Sequence, residues 1–165
     1  SSEVTASPAD RERVAVLLGR TPRGDFDVVV RTRAGEPAVL RNAPLLDDGT
    51  PMPTRFWLVD PDLRSVIGTL ESHGGVRRAE AELDADAVAT AHATHAAARD
   101  AALPEGYEGP RPFGGVGGTR RGVKCLHAHY AHWLAGGDDP VGAWVHDRLV
   151  EDGLMPSAAP ERTTP

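Results

Sequence analysis

The chain has 165 residues, a formal net charge of -6 and one cysteine. This length fits one domain, and the acidic charge argues against a nucleic-acid partner. One cysteine excludes an internal disulfide and fits a cytoplasmic location. The sequence has no run of about 18 apolar residues, so we expect no membrane span, and its first ten residues lack the pattern of a signal peptide.

The first part of the chain predicts one helix followed by three strands. Residues 1–7 are expected to be a disordered N-terminus, and Ser7-Pro8 starts a helix that ends at Gly19. Runs of β-branched and aromatic residues predict strands at 27–33, 38–41 and 54–59. The turn after the first helix carries two arginines, which are either solvated or part of an anion site.

The rest of the chain predicts four more helices, at about 60–72, 84–101, 119–135 and 141–152. Residues 156–165 have no apolar periodicity and are expected to form a disordered tail. These elements predict an α+β fold, in which a small antiparallel sheet of about three strands packs with a bundle of about five helices. Residues 8–155 would form the single domain.

The stretch from Phe113 to Trp133 concentrates the side chains that are capable of chemistry. Four glycines between positions 114 and 118 allow the backbone to come close to a ligand, and a helix that starts near Thr119 would present free N–H groups to an anion. The alternative is a flexible connection that happens to be rich in glycine. The candidate anion-binding residues are Arg20, Arg23, Arg55, Gly117, Gly118, Thr119, Arg120 and Lys124.

The helix predicted after these glycines carries the cysteine and three histidines. At about 100° per residue, Cys125, His129 and His132 share one face, and His127 lies at the margin of the apolar face. His127 and His129 are candidates for proton transfer, and Cys125 is a candidate nucleophile. The simpler interpretations are a hydrogen-bonded core histidine at 127 and a small buried cysteine at 125. Cys125, His127 and His129 are therefore the candidate catalytic residues.

A divalent metal is an alternative use of the same side chains. Cys125 with His129, or His129 with His132, have a helical spacing that suits two metal ligands, and further ligands must come from other elements. For the two histidines of the alanine-rich helix, which lie three residues apart, a solvated face is the simpler interpretation. The candidate metal ligands are Cys125, His129, His132, His92 and His95.

The run Gly117-Gly-Thr-Arg-Arg-Gly-Val-Lys-Cys-Leu-His-Ala-His129, followed by Asp139-Pro-Val-Gly142, resembles the bacterial family called domain of unknown function 501. Gly19-Arg-Thr-Pro-Arg-Gly24 and Pro53-Thr-Arg-Phe-Trp-Leu58 resemble its other blocks. The resemblance implies an actinobacterial origin. It also implies gene neighbours that encode a septum-forming protein and an exopolyphosphatase-like enzyme. It transfers no catalytic role to any residue.

These patterns favour a cytoplasmic protein that binds a phosphorylated or other anionic small molecule at the glycine-rich loop and the histidine helix. Whether the protein also hydrolyses that molecule, and so whether it is an enzyme, stays open. The alternatives are a metal-binding hydrolase with Cys and His ligands and a non-enzymatic interaction module linked to cell division. A divalent metal is the one cofactor considered, and a protein partner or a homo-oligomer also stays open.

Overall fold

The computed structural model of the protein describes residues 5–165, so the first four residues of the predicted disordered N-terminus lie outside the described residues. Within these residues, a single 3-10 turn, Val116–Gly118, is present in addition to three strands and six α-helices. In chain order these are α1 Pro8–Leu18, β1 Phe26–Arg31, β2 Pro37–Asn42, β3 Phe56–Leu58, α2 Pro61–Ser72, α3 Gly75–Glu82, α4 Ala85–Ala101, α5 Leu126–Leu134 and α6 Pro140–Glu151. Within residues 5–165, no helix combines the length and the apolar character that crossing a bilayer requires.

The three strands form one antiparallel sheet in the order β1-β2-β3. Val39 pairs with Leu58, and Leu40 pairs with Trp57, so successive residues of β2 face opposite sides of the sheet. Val39 and Leu58 belong to the main core with residues of α2, α5 and α6. Leu40 instead packs with Val14 of α1 in a second, smaller core. The sheet therefore carries α1 on one face and the helices of the main core on the other.

α5 is the helix around which the main core is arranged. It packs against β3, α2, α6 and the 3-10 turn. Leu126, Tyr130 and Leu134 are buried along its length, at the four-residue spacing that places side chains on one helical face. The first turn of α5 is therefore held between β3 and α2, and this position builds the site described below.

The α+β class and the three-stranded antiparallel sheet are confirmed, but the helices number six in the described residues rather than about five. The additional helix is α3, which lies between the helices predicted at about 60–72 and 84–101, where the sequence analysis predicted no element. Gly74 has a φ of 81°, a left-handed value that glycine adopts without steric cost. The chain therefore turns sharply after α2 and resumes as a second helix.

The prediction of a helix over 119–135 is wrong at its beginning, because α5 starts at Leu126. Gly117 and Gly122 have φ values of 68° and 64°, and left-handed residues interrupt a right-handed helix. Cys125 is extended, with a φ of -150° and a ψ of 120°, and immediately precedes the helix. The basic segment after the glycines is therefore a loop, and Cys125 does not share a helical face with the histidines.

The chain after α6 contacts the rest of the fold, although the sequence analysis expected residues 156–165 to form a disordered tail. Arg162 donates hydrogen bonds to the carbonyl oxygens of Trp133 and Gly137 at 2.8 and 2.9 Å. The N–H of Thr163 donates to the carbonyl oxygen of Leu134 at 2.7 Å. These hydrogen bonds hold the C-terminal segment against the end of α5 and the turn that follows it.

Arg99 of α4 is a buried arginine that connects the helix to the glycine-rich loop. It is 1% exposed, and its Nη1 donates to the carbonyl oxygens of Pro53 and Gly114 at 3.0 and 2.8 Å. Its Nε donates to Asp100 at 3.1 Å. A buried guanidinium is tolerated when its donors have partners, so these bonds fix the loop against α4.

We expect Arg99→Ala to lower the free energy of unfolding by about 3 kcal/mol, because it leaves buried carbonyl groups without donors. Urea denaturation followed by circular dichroism measures the change. The matched control is Arg77→Ala, at an exposed arginine of α3, which should change the same quantity by less than about 0.5 kcal/mol. Equal effects of the two changes would contradict a stabilising role for the Arg99 bonds.

Candidate functional site

A cavity of about 450 Å³ lies beside β3, α2 and the beginning of α5. Arg20, Arg64 and Lys124 line it, and we call it the basic cavity. In the part of the chain that the structure describes, no carboxylate forms an ion pair with any of the three. Three positive charges therefore surround one hollow without an ion-pair partner among residues 5–165.

Cys125 and His127, which line the basic cavity, converge with Glu71 of α2. Cys125 Sγ lies 3.8 Å from His127 Nδ1, and the same nitrogen lies 3.1 Å from Glu71 Oε1. The two outer polar atoms are also engaged. His127 Nε2 lies 3.1 Å from the carbonyl oxygen of Arg64, and Glu71 Oε2 accepts a hydrogen bond from the N–H of Leu126 at 2.8 Å. The thiol sulfur, the ring nitrogen and the carboxylate oxygen therefore lie close together, and bonds to the backbone hold the histidine ring and the carboxylate in place.

The carbonyl oxygen of Arg64 determines which nitrogen of His127 carries hydrogen. A carbonyl only accepts, so Nε2 must be the donor and Nδ1 faces the thiol and the carboxylate. Burial lowers the pKa of His127, but the bonds to Cys125 and Arg64 and the charge of Glu71 raise it above its usual value. Burial raises the pKa of Cys125, but the bond with His127 brings it below its usual value. Both shifts favour an ion pair of thiolate and imidazolium.

The amino end of α5 already has an anionic partner. The sequence analysis expected free N–H groups at a helix start near Thr119, but the helix starts at Leu126, whose N–H bonds the Glu71 carboxylate. A carboxylate near a helix N-terminus is favourable because of the helix dipole. The cationic side chains, rather than these N–H groups, are therefore the features that would attract a small anion.

Four histidines from two helices meet in the interior, and we call them the interior histidine cluster. The buried residues His92 and His95 of α4 face His129 and His132 of α5. The ring centroids of His92 and His129 are 5.3 Å apart, and those of His95 and His132 are 5.2 Å apart. The interpretation of His92 and His95 as a solvated helix face is therefore wrong, because that face of α4 packs against α5.

Asp139, the residue before α6, holds the two α5 histidines in place. Its Oδ2 accepts hydrogen bonds from Nδ1 of His129 and His132 at 2.8 and 2.9 Å, and its Oδ1 accepts from the N–H groups of Val141 and Gly142 at 3.0 and 3.1 Å. Burial raises the pKa of Asp139, but the two histidine bonds lower it well below its usual value. An ionised carboxylate only accepts, so both imidazoles carry hydrogen on Nδ1.

His92 closes the loop that leads into α5. The N–H of Val116 donates to His92 Nδ1 at 3.0 Å, so Nδ1 is the acceptor nitrogen of that ring. Nε2 then carries the hydrogen and donates to the carbonyl oxygen of Gly122 at 2.7 Å. Gly115 lies against the same ring, where an added Cβ would come within 2.5 Å of His92 Cβ. One imidazole therefore holds both ends of residues 116–122.

The structure brings some of the sequence-predicted residues together and places others elsewhere. Five line the basic cavity, namely Arg20, Gly117, Lys124, Cys125 and His127. Among the other candidate anion-binding and catalytic residues, six do not line it, namely Arg23, Arg55, Gly118, Thr119, Arg120 and His129.

Those six residues have other surroundings. Arg23 pairs with Asp48 at 3.4 Å on the surface, and the buried Arg55 donates to the carbonyl oxygen of Asn42 at 2.6 Å. Arg120 lies over the Phe113 ring, 4.3 Å from its centroid. Thr119 Oγ1 donates to the carbonyl oxygen of Arg121. Gly118 belongs to the 3-10 turn, and His129 lies in the interior histidine cluster.

Among residues 5–165, one group of three potential metal ligands has its donor atoms within 4.8 Å of one another, and it consists of Glu71, Cys125 and His127. The group includes none of the four interior histidines that the sequence analysis named beside Cys125. Sequence reasoning missed Glu71 and Arg64 because both belong to α2, far from the central stretch. No spacing rule connects position 71 with position 125.

A family model described as Protein of unknown function (DUF501) matches residues 28–147 of the chain. No curated protein and no solved structure gives a significant match. The matched range contains Arg64, Glu71, Lys124, Cys125 and His127, and Arg20 lies outside it.

We expect the protein to lose stability as the pH falls below about 6.5, partly through His95. Burial, with the charges of His132 and Arg99, lowers the pKa of His95 to about 3 from an ordinary value of 6.5. Between these values the unfolded state binds one more proton, which costs up to about 1.4 kcal/mol of stability per pH unit. Urea denaturation between pH 7 and 4.5 should therefore show that the free energy of unfolding depends less steeply on pH in His95→Phe than in the wild type.

The control for this pH series is His73→Phe, because His73 is an exposed histidine at the end of α2. It should keep the pH dependence of the wild type. If the free energy of unfolding of His95→Phe depends on pH as that of the wild type does, His95 is not held neutral by its burial.

Proposed function

The chain belongs to the DUF501 family, and we propose that it binds a phosphorylated or other anionic small molecule in the basic cavity. The observation that carries the proposal is the set of three cations around this cavity that have no ion-pair partner within residues 5–165, namely Arg20, Arg64 and Lys124. Cations that face one hollow repel one another, and a bound anion removes that repulsion. A volume of about 450 Å³ falls within the usual range for small-molecule sites.

The cavity also has a face that suits a non-ionic part of the ligand. Phe56, Trp57 and Leu58 of β3 line it together with the cations. Arg20 lies over the Trp57 ring, 5.3 Å from its centroid, and such stacking orients a guanidinium whose planar fork matches a phosphate. We therefore propose a ligand that combines an anionic group with an apolar or planar portion, which is larger than inorganic phosphate.

The residues at the wall support proton transfer better than nucleophilic attack. In a Cys-His-acid triad the acid binds the ring nitrogen that points away from the nucleophile. Here Glu71 Oε1 and Cys125 Sγ both lie near Nδ1 of His127, and the other nitrogen bonds a backbone carbonyl. We therefore propose anion binding as the function, and hydrolysis by a cysteine nucleophile is not part of the proposal.

The alternative, a non-enzymatic interaction module linked to cell division, is favoured by one observation. The four members of the interior histidine cluster are buried, so they are not available for chemistry at the surface. The hypothesis also needs an exposed apolar surface. The exposed large apolar side chains among the described residues are Val16, Phe113, Val150 and Leu154.

We expect a nucleoside monophosphate, and to a smaller extent pyrophosphate, which lacks the planar portion, to raise the melting temperature of the protein, since a ligand that binds the folded state stabilises it. Lys124→Ala and Arg20→Ala should each weaken binding by about tenfold or more, because a hydrogen bond to a charged group contributes roughly 1.5–3 kcal/mol. Titration calorimetry measures the dissociation constants.

Arg23→Ala is the matched control for this titration, because Arg23 is an exposed arginine near Arg20 in sequence but pairs with Asp48. It should leave binding unchanged. The proposal is contradicted if none of these anions shifts the melting temperature. It is also contradicted if Arg23→Ala weakens binding as much as Lys124→Ala does.

A further inference from the structure

We infer that Cys125 Sγ, His127 Nδ1 and Glu71 Oε1 form a three-ligand site for Zn²⁺, with its fourth position open to the basic cavity. The three donor atoms lie within 4.8 Å of one another. Cys125 and His127 also line the cavity, so a ligand entering from there would reach an ion bound between them. This inference goes beyond the proposed function and does not depend on it, because the ion needs only these three side chains.

The distances match the edges of a zinc tetrahedron. With usual bond lengths, tetrahedral zinc places sulfur and nitrogen ligands about 3.6 Å apart and nitrogen and oxygen ligands about 3.4 Å apart. The structure has 3.8 Å between Cys125 Sγ and His127 Nδ1 and 3.1 Å between His127 Nδ1 and Glu71 Oε1. Small side-chain rotations would therefore be enough to admit the ion.

The neighbouring groups already hold the three ligands as a metal site requires. A histidine ligand usually donates its second N–H to a carboxylate or a backbone carbonyl, and a carboxylate ligand is itself hydrogen-bonded. His127 Nε2 bonds the carbonyl oxygen of Arg64, which leaves Nδ1 as the nitrogen with a lone pair when the ring is neutral. Glu71 Oε2 accepts from the N–H of Leu126, which leaves Oε1 free to bind the ion.

The donor set favours zinc over the common hard cations. Magnesium and calcium prefer oxygen ligands, whereas thiolate and imidazole suit zinc. A neutral His127 with ionised Cys125 and Glu71 carries two negative charges, which match one Zn²⁺.

Three protein ligands also leave one coordination position of the ion available to a further ligand. Structural zinc sites have four protein ligands, whereas three ligands leave room for water or an anion. An anion at that position would face both the ion and the cations of the basic cavity, Arg20, Arg64 and Lys124. The site would therefore add a metal ion that can bind the anion directly, beside the three cations of the cavity.

The test uses Co²⁺ as a spectroscopic substitute for zinc in the full chain, purified without a histidine tag and stripped of metal. We expect one equivalent of Co²⁺ to produce a thiolate-to-metal charge-transfer band, and Cys125→Ser to abolish it. His127→Ala and Glu71→Gln should each lower the affinity for Zn²⁺ by more than about 100-fold, since loss of an outer-shell contact alone costs about 10–100-fold. Competition with a chromophoric chelator measures that affinity.

The control variant is His73→Ala, which removes an exposed histidine outside the site and should keep the affinity of the wild type. Circular dichroism and the melting temperature of each metal-free variant verify that it folds. Glu71→Gln retains an oxygen that accepts from Leu126, so the start of α5 should persist. The inference is overturned if the wild type gives no charge-transfer band. It is also overturned if either His127→Ala or Glu71→Gln keeps the Zn²⁺ affinity of the wild type.

The two proposals fail separately. Pyrophosphate binding that is weakened by Lys124→Ala, with no Co²⁺ band, leaves the anion site and removes the metal site. A Co²⁺ band without any response to anions leaves the metal site and removes the anion site.

Discussion

One buried carboxylate organises the helical half of the protein. Asp139 accepts four hydrogen bonds, two from histidines of α5 and two from the first N–H groups of α6. It thereby fixes the angle between these helices, and it assigns His129 and His132 to the interior. His127 lies on the other side of α5 and is the histidine of that helix that lines the basic cavity. The contacts of Asp139 therefore separate the two buried histidines of α5, His129 and His132, from His127, which is available at the cavity.

The sequence was sufficient for the features that depend on local pattern. The strands, the α+β class and five of the six helices follow from apolar periodicity and capping residues. The start of α5 was not accessible in this way. Every glycine permits a positive φ, and only the folded chain shows that Gly122 adopts one. The predicted helix therefore began too early, and Cys125 was assigned to the wrong face.

The candidate site was predictable in its residues near position 125 but not in its partners. Lys124, Cys125 and His127 stood out because reactive side chains were dense there. The carboxylate of Glu71 comes from α2, and its role depends on how α2 packs against α5. The same limit applies to His92 and His95, whose spacing suits either a solvated or a buried face. Tertiary packing decided between the two.

The two hydrogen bonds of His92 imply that position 92 requires a neutral imidazole. Its ring offers one acceptor and one donor on opposite edges, and it uses them to clasp Val116 and Gly122 at the same time. A doubly protonated ring would place an N–H group against the N–H of Val116 and repel it. Burial lowers the pKa of His92, which keeps the ring neutral and so preserves both hydrogen bonds. The conformation of residues 116–122, which form one border of the cavity, therefore depends on which nitrogen of the His92 ring carries the hydrogen.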